Sequence, residues 1–504
     1  MSVAIESLNS IFNILIVVTV ITLLSRRFNF PQTLALIIAG IYSSTFTNFQ
    51  LPYLESEIFI TLLLPPILFQ ETLHLNVDGL LDDADIILSY SILGTIAMVI
   101  SISLFSYFAL NFGFLESIIM GIIIAPTDPV SVISTFQKLG VLKRFQLLVA
   151  GEALFNDGIA IVMYSIITTI ITVGSMSIFD ISIFTIITIF GGVLIGAQSG
   201  YLTHTIFCLS DDKFVKVLFS FIVAFGGFRL AEEFGSSGVL ATVFSGLILN
   251  YRSKRYGGLT DYSLEMLDAI WEFIGFIAQS FAFIFIGMNM DTTILVSYAV
   301  PVIALFLFIL LARYGMVVLV ARFIYKTRKK LIPDFWIKGI TWSGLKGGVS
   351  IVLALGISSL GLPHGEEILA LTFGVVLVSI MVQGIFMTPI IKKLNLLRGS
   401  HSASVFTRAR VSNIGNKYNP EKYENGLPLT ERILFSFPEY IIYETRLGGW
   451  FSNQLLKVLN WMNRIMIDRI PKTTETYSRK IIKTITIIST KILNWITYFR
   501  EKNR

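Results

Sequence analysis

Apolar residues in this chain run in long blocks separated by short polar or Gly/Pro-rich breaks. Blocks such as 11–24, 86–110 and 301–320 approach or exceed the roughly 20 residues an α-helix needs to cross a bilayer core. Reading each block this way predicts helices near 11–25, 32–48, 57–75, 85–110, 114–137, 146–173, 178–207, 214–232, 236–250, 269–290, 294–321, 335–357 and 367–391. The expectation is an all-α polytopic membrane protein with about 13 transmembrane helices. Beyond residue 398 the pattern becomes polar and Lys/Arg-rich, so 1–398 reads as a transmembrane domain and 399–504 as a partly helical tail. Within the tail, Ile481, Ile485, Ile488, Ile492, Trp495 and Phe499 fall on one helical stripe. That stripe suits packing on its own domain, lying on a lipid surface or forming a coiled coil.

Charge placement orients these helices. If the N-terminus lies outside, the inner loops hold Arg26, Arg27, Lys138, Lys143, Arg144, Lys213, Lys216, Arg252, Lys254, Arg255 and the cluster 326–330. The outer loops hold acids and no Lys or Arg, which is the positive-inside bias and puts the tail in the cytoplasm. The inner loop 76–85 is the exception, with Asp78, Asp82, Asp83 and Asp85 and no base, but acids contribute little to orientation. The first ten residues contain Glu6 and no Lys or Arg, unlike the basic start of a signal peptide, so the first helix is expected to be mature. Only 14% of residues are charged and 54% are hydrophobic, against about 25% charged in a soluble domain. A single cysteine, Cys208, excludes an internal disulfide and a multi-thiolate metal site, and four histidines leave little for a histidine-rich metal centre. The net charge of +6 resides in the loops and tail of a membrane protein, so the expected partners are the lipid bilayer and a monovalent cation, not nucleic acid.

A charge at mid-bilayer costs about 2.5 kcal/mol or more, so ionisable residues inside the spans are functional candidates. Six stand out: Glu71, Asp128, Glu152, Asp157, Arg313 and Lys346. Two bases cannot neutralise four acids, which leaves at least one carboxylate to bind a proton or a metal cation. Glu152 and Asp157 are five residues apart, about 140° around an ideal helix, and so face different neighbours. Glu152 can be held ionised by a base such as Arg313 while Asp157, beside Asn156, opens onto an aqueous cavity and exchanges protons. Arg229, one turn from Glu233, reads as structural.

Two spans carry interruptions. Pro126 and Pro129 flank Thr127 and Asp128, so the fifth helix must break there, exposing carbonyls beside a hydroxyl and a carboxylate, hard oxygen ligands for a small cation. In the twelfth span, Gly344, Gly347 and Gly348 surround Lys346, whose charge suits facing helix-dipole ends. Interruptions at corresponding places in two halves of six helices point to an inverted repeat, with two crossing broken helices around a central ion site.

The segments Ala125-Pro-Thr-Asp-Pro-Val130, Gly151-Glu-Ala-Leu-Phe-Asn-Asp-Gly158 and Gly344-Leu-Lys-Gly-Gly-Val-Ser350, in this order, resemble the monovalent cation/proton antiporters that include prokaryotic Na+/H+ antiporters and animal Na+/H+ exchangers. The resemblance covers roughly residues 10–395. It implies a cell-membrane homodimer, each protomer having a dimerisation domain and a six-helix core that moves as an elevator. It implies secondary Na+/H+ antiport, with Li+ or K+ as alternative cargo and no cofactor. Asp157 would bind the ion and proton, Asn156 would be its neighbour, and Thr127 with Asp128 would complete the Na+ site. Glu152 would pair with Arg313, and Asn156-Asp157 follows the electroneutral 1:1 type. Three positions depart from common relatives. Ala153 stands where many have Ser, and Lys346 where many have Arg. In Leu64-Pro-Pro-Ile-Leu-Phe-Gln-Glu71 the acid, a candidate gate, comes one place later than usual, after Gln70. Among other classes, a cation channel would require continuous flux. An intramembrane aspartyl protease would show a Gly-x-Gly-Asp motif, absent around Asp128 and Asp157. The chain has no Gly-rich loop ending in Gly-Lys-Ser/Thr of the kind an ATP-driven pump uses.

Overall fold

The computed structural model describes residues 2–28, 31–46, 56–173, 178–288, 297–394 and 396. The tail 399–504, with its apolar stripe, lies outside the described residues, as do Glu55 and Asp291 of the outer loops. The described chain is helical throughout its regular elements. In order these are α1 (Ser2–Phe28), α2 (Gln32–Phe46), α3 (Ser56–His74), α4 (Val77–Asp82), α5 (Ala84–Ala109), α6 (Phe114–Ile124), α7 (Val130–Leu139) and α8 (Lys143–Val173). They continue with α9 (Ile178–Leu209), α10 (Lys213–Glu233), α11 (Gly238–Tyr256), α12 (Asp261–Met288), α13 (Ala299–Arg328), α14 (Asp334–Trp342), α15 (Gly348–Leu355) and α16 (Gly365–Lys393). Among them α5, α8, α9, α10, α12, α13 and α16 are each long and apolar enough to cross a membrane.

Both interrupted spans are split as the prolines and glycines require. The span expected near 114–137 is α6 and α7 with a non-helical step at 125–129, and that near 335–357 is α14 and α15 with a step at 343–347. Two other expectations shift at their ends: α12 begins at Asp261 and α13 continues to Arg328. Hydropathy stops counting where Lys326 and Arg328 enter, whereas a helix continues and lets such long side chains reach polar surroundings.

Helices that lack polar faces pack through their small residues. On α9, Gly192, Gly196 and Gly200 recur at one-turn spacing, and a Cβ on each would run into the Ser237, Ala241 and Ser245 carbonyls of α11, one turn apart in their own helix. Without hydrophobic gain between helices in lipid, this close backbone approach is what holds such a pair. Along α13, Leu305, Ile309, Arg313, Met316, Val317 and Val320 are buried, while Val300, Leu307, Leu311 and Leu319 on the other side are exposed apolar surface suited to lipid.

The acidic loop 76–85 contains α4, capped by Asn76, whose side chain accepts from Gly79 N–H at 3.2 Å. Two of its acids, Asp83 and Asp85, are paired with bases from elsewhere in the chain. Arg144, at the start of α8, grips Asp83 with two hydrogen bonds of 2.6 and 2.7 Å. Lys330, just after α13, holds Asp85 at 2.8 Å. Arg144 also lies over the Trp336 ring of α14, 5.6 Å from its centroid. At a different point, Arg229 and Glu233 form the expected one-turn pair at 3.6 Å, more than half exposed and therefore of little energetic weight.

Candidate functional site

The two helix breaks meet. Asp128 N–H donates to the Leu345 carbonyl at 2.8 Å, tying one extended step to the other. The approach is so close that a Cβ on Gly347 would overlap the Asp128 side chain. Lys346 sends its buried ammonium across the crossing to the carbonyls of Ala125 at 2.9 Å and Pro126 at 3.2 Å. These carbonyls end α6, where a helix presents its partial negative charge and unpaired acceptors. The backbone N–H of Lys346 donates to Ser379 Oγ at 3.0 Å, and Ser379 donates to Gln383 Oε1 at 2.6 Å. Gln383 returns its amide to the Trp342 carbonyl at the end of α14, at 3.0 Å. It belongs to a π-helical turn, Ile380–Gly384, within α16.

Arg313 closes the other helix end. Its guanidinium donates to Glu152 Oε2 at 3.0 Å and to the Ile340 carbonyl of α14 at 3.2 and 3.3 Å. Both members of the pair are only 2–3% exposed, and Gly344 has no room for a Cβ beside the guanidinium. The Glu152 carbonyl accepts from Ser91 Oγ at 3.1 Å, from a second π-helical turn, Ser89–Leu93, in α5.

Asp157 stands on the other side of α8. It is 5% exposed, and its Oδ1 has no hydrogen-bond partner among the described residues. Next to it Asn156 fixes the first break: its amide donates to Thr127 Oγ1 at 2.8 Å and its Oδ1 accepts from Thr127 N–H at 3.4 Å. A cavity of about 40 Å³ opens here, large enough to admit water or a small cation. Its polar lining includes Glu71, Thr127, Asp128, Asp157, Gln279 and Ser350; Leu64, Ile67 and Phe283 are among its apolar walls. Gly348 and Val349 bring the first turn of α15 to the same cavity, while Ala153 is buried but does not line it.

The geometry thus unites Glu71, Thr127, Asp128 and Asp157 around one space and keeps Glu152 with Arg313 apart from it. Lys346 joins the two breaks. Asn156 lies behind Thr127. Four contributors escaped the sequence reading: Gln383 and Ser379, which serve the second break, and Gln279 and Ser350 on the cavity. Each is an uncharged polar residue inside an apolar block, a weaker signal than the charges on which that reading rested.

Helices long enough to span a bilayer, two of them broken where they cross, and a small acidic cavity at the crossing define an integral multi-pass membrane protein of the broken-helix transporter class. Residues 14–393 match the family model described as sodium/hydrogen exchanger, transmembrane. The chain belongs to this family, which lies within the monovalent cation/proton antiporters, and is a secondary transporter. Na(+)/H(+) antiporter NhaH of Halobacillus aidingensis is 32% identical over 411 residues, 75% of this chain and 95% of that protein. Na(+)/H(+) antiporter NhaP of Pseudomonas aeruginosa is 30% identical over 353 residues, 67% and 81% of the two chains. The fold is shared with the sodium proton antiporter MjNhaP1 of Methanocaldococcus jannaschii in its structure at pH 8. The TM-score is 0.65 at 20% identity, covering 77% of this chain and 99% of that one.

Proposed function

We propose that this protein exchanges Na+ for H+ across the membrane, one for one, with the two ions competing for Asp157. The observation that carries this reading is the unpartnered Oδ1 of Asp157 on a cavity that also holds Thr127 and Asp128. Oxygen donors of this kind suit a small alkali cation, and a proton on the same carboxyl would remove the charge that holds it. Glu152 is spoken for by Arg313 and does not line the cavity. Asn156 adds a neutral neighbour where a second acid would add another titrating site. Both curated relatives quoted above carry the name Na+/H+ antiporter, which agrees with this assignment.

The mechanism we infer is alternating access. A core built around the crossed helices slides as an elevator against a dimerisation domain within a homodimer, carrying either Na+ or H+ on Asp157. Glu71, on the same cavity, acts as a gate. The ion gradients drive the exchange without a cofactor.

Reconstituted in vesicles, the protein is expected to show a bell-shaped pH response, since protons displace Na+ at low pH and are scarce at high pH. Asp157→Asn should abolish exchange while leaving a folded protein; robust exchange by that variant would sink the assignment. Adding Na+, Li+ or K+ in turn to purified protein and measuring released protons identifies the cargo. Release by K+ alone would turn the reading into K+/H+ exchange.

A further inference from the structure

Two of the residues lining this cavity carry a buried polar atom with no hydrogen-bond partner among the described residues, and they come from different helices: Asp157 on α8, through Oδ1, and Ser350 on α15, through Oγ. A buried hydroxyl left unpaired costs about 1–3 kcal/mol, and of those among the described residues, on Ser25, Ser103, Ser253, Ser350 and Thr372, only that of Ser350 belongs to a residue lining the cavity. In apolar helices a serine commonly donates to the carbonyl one turn behind. Ser91, Ser101, Ser106, Ser165 and Ser199 all do so in this chain. Ser350 is the third residue of α15, and four residues behind it stands Lys346, within the non-helical step between α14 and α15. The break therefore deprives Ser350 of the acceptor that an unbroken helix would offer. It leaves a buried hydroxyl, on a residue 1% exposed, lining the same cavity as the carboxylate proposed to carry the ion.

We propose that Ser350 is a ligand of the transported cation, a neutral oxygen supplied by the second broken helix that sets cation affinity while taking no part in proton exchange. The proposal rests on Na+/H+ competition at Asp157. A hydroxyl presents lone pairs to a cation and does not titrate in the working range, so it stabilises the Na+-loaded state and leaves proton binding to the carboxyl. It also makes the site a joint product of the two breaks, with Thr127 and Asp128 from one and Ser350 from the other.

The test is Na+-dependent proton flux through full-length protein in vesicles, with Na+ and pH both varied to separate the two affinities. Ser350→Ala should raise the KM for Na+ about three- to tenfold, the effect of losing one neutral polar contact. The maximal rate and the proton affinity drawn from the competition should stay as they are. Ser350→Thr, which keeps the hydroxyl, should restore the KM. An unchanged KM in Ser350→Ala overturns the proposal, and so does a fall in maximal rate shared by the Ala and Thr variants, which marks a packing role. Asp157→Asn in the same assay keeps the two readings apart. If it is inactive while Ser350→Ala keeps its KM, Ser350 alone is misassigned; if it exchanges ions, the underlying site is wrong.

Discussion

Glu152 and Asp157 are both buried acids on one helix, yet their surroundings differ in the one respect that decides their use. Glu152 meets a guanidinium at 3.0 Å, whereas Asp157 Oδ1 meets no donor. The five-residue separation made opposite faces legible in the sequence. The choice of Arg313 over Lys346 as the partner was not, because it depends on how α13 packs on α8; that choice came from family resemblance. Breaking one member of a buried pair strands the other charge at a cost of about 3–5 kcal/mol. Glu152→Gln is therefore expected to lower the melting temperature of the purified protein by about 10 °C. Combining Glu152→Leu with Arg313→Met should recover part of that loss, since an apolar pair strands no charge. Recovery will be incomplete because Arg313 also serves the Ile340 carbonyl. A melting point for Glu152→Gln equal to that of the parent would remove the pair from the list of structural supports.

At the scale of helices, the breaks were the most legible feature. Prolines three apart and glycines around a lysine leave a backbone no other option inside an apolar block. Their mutual contact, Asp128 N–H to Leu345, was legible only as an expectation of crossing. The π-helical turns at Ser89–Leu93 and Ile380–Gly384 had no sequence signature, because an extra residue in a helical turn leaves the apolar pattern almost intact. Nor did the sequence separate the adjacent glycines. At Gly347 a Cβ would overlap Asp128, whereas at Gly348 it would meet nothing within 4 Å. Gly347→Ala should force the two steps apart, at about 1–3 kcal/mol, with a lower melting temperature and a loss of exchange of tenfold or more. Gly348→Ala, in a helical first turn with nothing within 4 Å of the added Cβ, should retain parental stability and lose less exchange than Gly347→Ala, its methyl group adding bulk at the cavity wall. Equal behaviour of the two variants in vesicle flux would show that the crossing tolerates more slack than its geometry allows.

For the whole molecule, the acidic loop 76–85 stood against the charge rule when the sequence was read alone, because its bases come from distant parts of the chain. Asp83 takes Arg144 and Asp85 takes Lys330, so the loop after α3, the start of α8 and the end of α13 all lie at one end of the bundle. Two of these three segments carry the basic residues on which the orientation rests, and the third follows them by contact. The expected topology is therefore that this end faces the cytoplasm, while the Glu366 and Glu367 turn at the start of α16 faces outward. The sole cysteine makes the test direct. In a Cys208→Ser background, a cysteine at exposed Glu366 should react with an impermeant maleimide on intact cells. One at exposed Lys329 should react only after the membrane is opened. Labelling of position 329 from outside would invert the bundle.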